Sequence, residues 1–243
     1  MISIVIPVLN EADRLDQLLA SLAHQTEHTE VIVVDGESDD GSPEVASDFG
    51  ARVIVSRRGR GQQLAAGADI ARGEVLLFLH ADTQLPCRAL VSMRRLLEAH
   101  PGAPGGNFRL LFDGDSRFDR WLERFYCWIR SHGIYYGDSG IFVRRSCYRR
   151  IGGIRPIPVM EDYDLVRRME AAGQTLCVEQ PPLVTSSRRF HGRHPLAIFV
   201  GWVRIHLLFH LGVEPDRLAS IYDNERRRER RANGRGGSSH RLE

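Results

Sequence analysis

The stretch Gly73-Glu74-Val75-Leu76-Leu77-Phe78-Leu79-His80-Ala81-Asp82-Thr83 decides how this chain is expected to fold. Its apolar run follows a turn signal and ends in a carboxylate, which predicts a short buried strand with Asp82 just past its carboxyl end. Open α/β sheets bind their ligands at that edge, so Asp82 is a candidate to hold a hard cation that also contacts the phosphates of a nucleotide. The alternative is that Asp82 and Thr83 only cap the next helix, because both residue types are preferred at helix N-termini.

Three more apolar runs precede this stretch, and amphipathic segments alternate with them. Pro7 is expected to stop the first strand, and Asn10 to open a helix with leucines on one face. The order β-α-β-α-β-α-β with short connections predicts a doubly wound, mixed but mostly parallel sheet flanked by helices. The strands before the quoted stretch are predicted at Ile2 to Ile6, Val31 to Val34 and Arg52 to Val55, and the later two helices at 43–49 and 62–71.

Polar or glycine-rich residues follow each predicted strand, namely Asn10-Glu11, Asp35, the Arg57 to Gly61 loop, and Asp82. Because the carboxyl ends of parallel strands meet at one edge, these groups together predict a ligand site. Loops are polar in general, but that explanation accounts poorly for Asp35 and Asp82, each of which directly follows a run of apolar residues. A dinucleotide site is poorly supported, because the Gly59 to Leu64 segment lacks the third glycine of the fingerprint.

The composition is that of an ordinary globular chain. With 243 residues, 42% hydrophobic and 26% charged, the chain has room for one large α/β domain or two small ones. A net charge of +2 does not indicate a nucleic-acid partner. All 33 basic side chains are Arg, which excludes lysine Schiff-base chemistry and the P-loop lysine.

The chain is expected to be cytoplasmic. Its four cysteines, Cys87, Cys127, Cys147 and Cys177, are widely spaced without a Cys-x-x-Cys pair, so they are predicted to be buried, reduced thiols. The N-terminus enters a strand at once and has no basic region, so no signal peptide is predicted.

The second half is predicted to contain both helices and strands, beginning with an amphipathic helix from Arg88 to His100 and a strand at Phe108 to Phe112. The aromatic stretch from Trp121 to Ile129 is expected to be core, with an acceptor-binding or membrane-contacting surface as the alternative. A polar turn at Gly137 should lead into a strand, and Glu161 should open a helix that continues to Ala172.

The last segments suggest contact with a membrane surface. The apolar stretch Pro195 to Val213 has about the length of a span, but Arg204, His206 and His210 interrupt it, which favours a docked or interfacial helix. The tail from 225 has seven Arg against three acids and is predicted to be disordered and to contact acidic lipid. The predicted organisation is a domain over 1–190, an apolar helix within 191–224 and a basic tail over 225–243.

Four motifs together resemble a known family. In chain order they are Ile4 to Glu11, Val33 to Ser42, Phe78 to Thr83 and Val159 to Leu165, and they look like the successive nucleotide-sugar motifs of family 2 glycosyltransferases, which are inverting enzymes of the GT-A fold. Three further segments resemble a bacterial subgroup associated with arsenosugar biosynthesis, namely Gly59 to Leu64, Ser187 to Phe190 and Leu211 to Val213.

The resemblance implies a donor site. Asp35 would bond the nucleotide base, while Gly61 and Gln63 would lie against the ribose and diphosphate. Asp82 would be the last acid of a metal motif, usually Asp-x-Asp, that holds Mg²⁺ or Mn²⁺, and His80 stands where the first acid is expected. The other nucleotide-binding residues implied are Pro7, Asn10, Glu11 and Ala81.

The resemblance also implies an acceptor side. Asp162 would be the base that deprotonates the acceptor hydroxyl, with Glu161 and Gly140 beside the acceptor. Arg188 and Arg189 could bind the diphosphate through their guanidinium groups, although a solvated surface pair is an equal alternative. The simpler explanation of Glu161 and Asp162 is that acids in a first helical turn interact favourably with the helix dipole.

The function predicted is therefore metal-assisted, inverting transfer of a sugar from a nucleotide-diphosphate donor to an acceptor hydroxyl or lipid phosphate. A sugar-phosphate nucleotidyltransferase is disfavoured, because such enzymes usually need a lysine. A non-catalytic nucleotide-sugar-binding or membrane-scaffolding protein stays open, and His80 is the feature in its favour. The acceptor is not predicted, and peripheral contact with the inner face of the membrane is left open.

Overall fold

The computed structural model describes residues 1–187 and 195–221, and the strands within them form one mixed sheet of eight. In chain order the strands are β1 (Ile2–Val8), β2 (Thr29–Asp35), β3 (Arg52–Val55), β4 (Val75–Phe78), β5 (Thr83–Gln84), β6 (Gly105–Phe112), β7 (Ile141–Arg144) and β8 (Leu176–Thr185). They lie in the order β3-β2-β1-β4-β7-β6-β8-β5. The helices are α1 (Ala12–Ala23), α2 (Ser42–Asp48), α3 (Arg60–Ile70), α4 (Ala89–Ala99), α5 (Arg117–Ser131), α6 (Arg145–Arg150), α7 (Glu161–Ala172) and α8 (Pro195–His210).

The first four strands are parallel neighbours, as the alternating pattern predicts. Val8 of β1 lies opposite Asp35 of β2, and Asp35 lies opposite Val55 of β3. On its other side β1 pairs in parallel with β4, as far as Val5 opposite Phe78. The carboxyl ends of the four strands therefore lie along one edge of the sheet.

Pro7 does not end the first strand, so that expectation is wrong. The Val5 carbonyl accepts from Leu79 N–H on the β4 side of β1, and the Val8 carbonyl accepts from Gly36 N–H on the β2 side. Alternation places Pro7 on the β4 side, past Phe78, where the β4 ladder has already ended. The N–H that proline lacks therefore breaks no ladder hydrogen bond.

The other half of the sheet contains the antiparallel pairs. β7 lies antiparallel between β4 and β6, β6 pairs in parallel with β8, and the two-residue β5 pairs antiparallel with β8 at the far edge. β4 lies in the middle of the sheet and β5 at its edge, so the chain crosses between them at His80-Ala81-Asp82.

Two apolar cores cover the two faces of the sheet. In β2, Val33 packs into the cluster that holds the leucines of α1 and α4. Its neighbours Ile32 and Val34 pack into the cluster with residues of α3 and α7. Successive side chains of a strand point to opposite faces, so β1 to β4 and β7 contribute to both cores.

α8 packs through a third cluster, which contains Met160, Tyr163, Ile205 and Leu218. No helix within 1–187 and 195–221 is long and apolar enough to cross a membrane.

The aromatic stretch in α5 is buried on one side of the helix only, so the prediction that it belongs to the core holds in part. Leu122 and Ile129 are buried, whereas Trp128 is 54% exposed. The predicted domain boundary at 190 and the predicted basic tail lie outside the described residues.

The cysteines are all free thiols, but their predicted burial is wrong for two of them. Cys147 is buried and Cys177 half-buried, whereas Cys87 and Cys127 are exposed. Cys127 lies on the solvent side of α5, next to Trp128.

Candidate active site

The loops after β1 and β2 are tied together by side chains that bond the backbone of the opposite loop. Asn10, whose φ is +54°, accepts from Asp39 N–H through its Oδ1 at 2.9 Å. In return, Ser38 Oγ accepts from Asn10 N–H at 3.0 Å, and Ser42 Oγ accepts from Glu11 N–H at 3.1 Å. The two strand-end loops therefore form one rigid rim at the edge of the sheet.

Asp35 lies at the base of this rim. Its side chain is 3% exposed, and its Oδ2 accepts from Glu37 N–H at 3.0 Å and from Ser38 N–H at 3.1 Å. The third loop joins at the same place, because Arg58 Nε donates to the Gly36 carbonyl at 3.2 Å. Three consecutive strand ends thus meet around the carboxylate that is predicted to select the nucleotide.

Gln63 ties α3 to the same edge. Its Nε2 donates to the Val8 carbonyl and to the Val34 carbonyl, each at 2.8 Å, and the side chain is buried. Both donor hydrogens are therefore used on the ends of β1 and β2. Gln63 holds the strand ends in register, and its predicted contact with the donor stays a prediction.

Gly61 is explained by a close approach of backbones. A Cβ at this position would lie 2.6 Å from the Ile157 carbonyl oxygen and 3.1 Å from the Arg155 carbonyl oxygen. The N-terminal turn of α3 is therefore in contact with the segment that leads into α7. This contact brings the Arg57 to Gly61 loop up to the Glu161-Asp162 pair.

Arg60 bridges the two predicted acids of α7. Its Nε donates to Glu161 Oε1, and its Nη2 lies 3.7 Å from Asp162 Oδ2. Desolvation opposes the charge of Arg60, but Glu161, Asp162 and Asp138 outweigh it and raise the pKa of Arg60 above its usual value. The Glu161 side chain is fully buried, and its Oε2 has no hydrogen-bond partner among the described residues.

Asp162 is held from the opposite side by a backbone N–H. Its Oδ2 accepts from Gly137 N–H at 2.9 Å, and its Oδ1 accepts from Tyr163 N–H at 2.7 Å. The side chain of Asp162 is 7% exposed. The carboxylate is thus oriented by the turn before β7, which itself lies beside β4.

His80 completes this arrangement from the end of β4. A Cβ on Gly137 would lie 2.7 Å from His80 Nε2 and 3.3 Å from Asp162 Oδ2, so these two side chains approach the same point. On the other side of the ring, His80 Nδ1 lies 3.3 Å from Asp138 Oδ1, and Tyr126 OH donates to Asp138 Oδ2 at 3.3 Å. Asp138 and Tyr126 were missed by the sequence reasoning, although the predicted polar turn at Gly137 contains Asp138.

A cavity of about 470 Å³ opens at the crossing between β4 and β5. Of the residues predicted to bind the nucleotide or metal, Asn10, Glu11, Ala81 and Asp82 line it. Asp35, Gly61 and Asp162 do not. The rest of the lining comes from Ala12, Asp13, Arg14, Gln17, Asp40, Thr83, Gln84, Asp113 and Ser186.

The side chains at this cavity suit a cation that is shared with a ligand. Among the described residues, no three His, Cys, Asp or Glu side chains converge as a ready-made metal cluster. Asp82 supplies a carboxylate to the cavity, and next to it Thr83 Oγ1 is buried without a partner in the described part of the chain. Mg²⁺ is commonly held by one or two carboxylates together with substrate phosphates and water, so this oxygen set fits such an ion.

Gly140 has a conformational reason to be glycine. Its φ is +64°, and a Cβ would lie 2.6 Å from Leu183 Cδ1. Its predicted contact with the acceptor stays a prediction.

The predicted diphosphate ligands Arg188 and Arg189 lie outside the described residues.

A family model now decides the wider relationship. The model described as Glycosyl transferase family 2 matches residues 3–151, which is more than half of the chain. The chain belongs to this family. The family prediction is therefore confirmed, while the arsenosugar-associated subgroup stays a prediction.

This family 2 glycosyltransferase has curated relatives of bacterial origin. It is 35% identical over 92 residues to the 4,4'-diaponeurosporenoate glycosyltransferase of Staphylococcus haemolyticus, covering 35% of this chain and 24% of that protein. It is 31% identical over 166 residues to the undecaprenyl-phosphate 4-deoxy-4-formamido-L-arabinose transferase of Pseudomonas savastanoi pv. phaseolicola, covering 61% and 47%. The chain therefore spans less than half the length of these two relatives.

Solved structures share the fold of this glycosyltransferase. The mannosyltransferase PcManGT from Pyrobaculum calidifontis, in complex with GDP-Man and Mn²⁺, superposes with a TM-score of 0.63 at 19% identity, covering 87% of this chain and 63% of that one. The S. aureus TarS 1-349 structure in complex with UDP-GlcNAc gives a TM-score of 0.61 at 15% identity, covering 92% and 72%. At such low identity the likeness shows the fold alone, and it confirms the predicted GT-A-type sheet.

Proposed function

We propose that this family 2 glycosyltransferase moves a sugar from a nucleotide-diphosphate donor to an acceptor hydroxyl or lipid phosphate, with inversion at the anomeric carbon. One observation supports this most. Asp162 comes from a helix far along the chain, yet Gly137 N–H and Arg60 hold it near His80, which is two residues before Asp82.

The reaction needs one base and a stabilised leaving group. An acceptor oxygen forms the new bond to the anomeric carbon as the bond to the diphosphate oxygen breaks, and Asp162 takes the proton of an attacking hydroxyl. Because Gly137 and Tyr163 bond the two oxygens of Asp162 from fixed backbone positions, the carboxylate is oriented before the acceptor arrives.

Charge on the departing diphosphate has to be neutralised. Asp82, with Thr83 Oγ1 beside it, would hold Mg²⁺ or Mn²⁺ at the cavity edge. When bound, the cation would supply positive charge to the leaving diphosphate, so that no general acid is needed. Arg60 adds a fixed guanidinium at the same edge of the sheet.

The donor class follows from the fold and the rim around Asp35. Two structural neighbours are in complex with GDP-Man and with UDP-GlcNAc. We therefore propose a nucleotide-diphosphate sugar as the donor. Asp35 keeps lone pairs of its buried carboxylate available beside the rim for a base N–H. We place the reaction in the cytoplasm, at the inner face of the membrane, because the four cysteines are free thiols and a relative is named as an undecaprenyl-phosphate 4-deoxy-4-formamido-L-arabinose transferase.

Two substitutions separate the chemistry from donor binding. Asp162→Asn should lower sugar transfer by about 10² to 10⁴ while nucleotide-diphosphate binding stays close to normal, because only the base is lost. Asp82→Ala should abolish the Mn²⁺ dependence of donor binding in calorimetric titration. Asp69→Asn, at an exposed acid of α3, is the matched control and should transfer normally. Near-normal transfer by both site variants would overturn the assignment.

His80 favours a second candidate, a non-catalytic nucleotide-sugar-binding protein. A histidine in place of an acid leaves one carboxylate at the predicted metal motif. Titration with a nucleoside diphosphate with and without Mn²⁺ separates the two functions. Metal-independent binding without any turnover would favour the binding protein.

A further inference from the structure

An apolar stripe lies on the outer surface of α8 and continues onto α5. Its members recur every three or four residues along α8, which places them on one side of the helix. We call this surface the α5–α8 outer face; it consists of Trp128, Leu196, Phe199, Val200, Val203, Leu207 and Leu211. Their exposed fractions run from 38% at Phe199 to 70% at Leu211, so these large side chains lie in water.

The opposite side of α8 is fully engaged with the body of the protein. Ile198, Ile205 and His206 are buried there. Phe125 of α5 packs against Phe199 and Trp202, with ring centroids 6.1 and 5.6 Å apart, so α5 and α8 are neighbours. Among the described residues, α8 thus packs on the rest of the protein through the side opposite the outer face.

Exposed arginines flank this face, and no exposed acid lies on either helix. Arg204 is exposed on α8, and Arg117, Arg120 and Arg124 are exposed on α5. α8 contains no acid, and in α5 Asp119 is buried and Glu123 half-buried. Beyond the described residues the sequence from 225 onward adds seven Arg against three acids. Apolar side chains with a basic surround match an anionic lipid surface.

The same charges argue against a second copy of this chain as the occupant. A two-fold contact places the same patch on both partners, so the arginines of one copy would face those of the other with no exposed acid on either helix. Like charges brought together in this way are destabilising, whereas an anionic bilayer offers opposite charge over the whole patch.

The inner side of α8 holds the residues that flank the proposed base. Trp202 Nε1 donates to Tyr136 OH at 2.5 Å, and Tyr163 OH lies 2.9 Å from His210 Nε2. Tyr136 directly precedes Gly137, whose N–H bonds Asp162, and Tyr163 directly follows Asp162. Asp162 is therefore separated from the outer face by α8 itself and by these two tyrosines.

We propose that the α5–α8 outer face docks on an anionic lipid bilayer, with α8 lying along the membrane surface. Resting on the proposed function, this orientation puts α8 between Asp162 and the bilayer and makes the acceptor a membrane-borne lipid. The arginines contact anionic headgroups, while the stripe enters the boundary between headgroups and acyl chains.

Vesicle flotation of the full chain tests this surface. Vesicles of equal parts phosphatidylglycerol and phosphatidylcholine should carry the protein upward, and vesicles of phosphatidylcholine alone should not. The double variant Val200→Gln, Leu207→Gln should weaken the apparent affinity about tenfold or more, because two apolar side chains no longer enter the lipid. Val55→Gln changes a side chain that is 67% exposed on β3 and should bind vesicles as the unchanged chain does.

Two further measurements keep the outcomes separate. A thermal shift with a nucleoside diphosphate and Mn²⁺ should be the same in the double variant, which shows that it folds and binds the donor. Vesicle binding by a chain that binds no nucleoside diphosphate would uphold the docking surface and overturn the proposed function instead. The docking proposal fails if the unchanged chain stays at the bottom with anionic vesicles, or if the double variant floats equally well. It also fails if sedimentation velocity shows that the double substitution only breaks a dimer.

Discussion

His80 occupies a position where an acid is expected, and its surroundings give that histidine a defined orientation. Asp138 Oδ1 faces His80 Nδ1 at 3.3 Å, so Nδ1 is the nitrogen that bears the proton of the neutral ring. Nε2 is then an acceptor and points to the space beside Gly137 and Asp162. A carboxylate behind an imidazole fixes its tautomer and makes the other nitrogen a better ligand.

Replacing Asp138 should therefore disturb His80 before it disturbs the fold. Asp138→Asn is expected to lower sugar transfer about tenfold or more, since the ring loses the carboxylate that orients it. ¹⁵N NMR of the imidazole should show the Nδ1–H tautomer of His80 losing its dominance. Asp115→Asn, at an exposed acid near the start of α5, is the control. An unchanged His80 spectrum in Asp138→Asn would contradict this role.

Single residues were predictable here only where a motif or a strand end marks them. Asp35 stands directly after an apolar run and Asp82 three residues after one, so their location at the edge of the sheet follows from the pattern. Asp162 required the family resemblance, because an acid in the first turn of a helix is ordinary. Asp138 lies 58 positions from His80, and no local sequence pattern predicts a contact that only the folded sheet brings about.

At the scale of elements, α3 sets how closely the basic loop approaches the strand ends. Gly67 faces the sheet, and a Cβ there would lie 2.4 Å from Val5 Cγ1 and 2.8 Å from Val34 Cγ2. Both valines are fully buried in packed core, so neither can move aside at low cost. The glycine lets α3 lie against β1 and β2, which carries Gln63 and Gly61 to their contacts.

Gly67→Ala should destabilise the protein in spite of the better helix propensity of alanine. Overpacking costs about 1–3 kcal/mol, and the gain in propensity is about 1 kcal/mol, so the net loss is at most about 2 kcal/mol. Denaturant unfolding measures the difference. Gly102→Ala is the matched control, since a Cβ there meets nothing within 4 Å. Equal stability of the two variants would show that α3 can shift outward freely.

α8 contains a pH-sensitive contact with the segment around Asp162. The Trp202 carbonyl can only accept, so His206 Nδ1 carries the proton in their 2.8 Å bond, and Nε2 is left to accept from Tyr136 OH at 2.7 Å. Burial lowers the pKa of His206 below 6.5, the Trp202 carbonyl and the more distant Asp162 oppose this, and His210 adds to it. The neutral ring therefore suits both of its partners.

Acidification should loosen this contact. A histidine whose pKa is lowered on folding contributes stability that is present above pH 6.5 and is lost as the pH falls, because the unfolded chain binds the proton first. Thermal melts from about pH 7.5 to about pH 5.5 should fall more steeply for the unchanged chain than for His206→Gln. His24→Gln, at an exposed histidine after α1, should keep the full slope. Parallel pH slopes for all three proteins would contradict the assignment.

The alternating half of the fold follows from local signals, and the other half does not. β1 to β4 each show an apolar run, a turn and an amphipathic helix, so their parallel order is predictable. β7 instead inserts antiparallel between β4 and β6, and its residues pair with β4 residues 63 (Phe78 with Ile141) to 69 (Val75 with Arg144) positions earlier, which no local pattern specifies. The aromatic side chains of α5 likewise could not reveal that Trp128 stays outside, because that depends on where α8 lies.

At the scale of the whole molecule, two surfaces with different chemistry flank Asp162. The strand-edge rim and cavity are polar and lie on the side of Asp35 and Asp82, whereas the outer face of α5 and α8 is apolar and basic. Tyr136 and Tyr163 connect the two surfaces. Tyr136 precedes Gly137, Tyr163 follows Asp162, and each tyrosine bonds a side chain of α8.

Hydrogen exchange should therefore report two separate ligand sites on one protein. A nucleoside diphosphate with Mn²⁺ should slow amide exchange in the loops at 36–42 and 57–61, because these loops meet around Asp35, and should leave exchange in α8 unchanged. Anionic vesicles should slow amide exchange in α8 and leave exchange in these loops unchanged. At a lipid concentration about 100 times the dissociation constant, opening of α8 should slow about a hundredfold, as for any ligand that binds only the folded form. Neutral vesicles are the control. Protection of the rim by vesicles, or of α8 by the nucleotide alone, would mean that the two surfaces do not act as distinct sites.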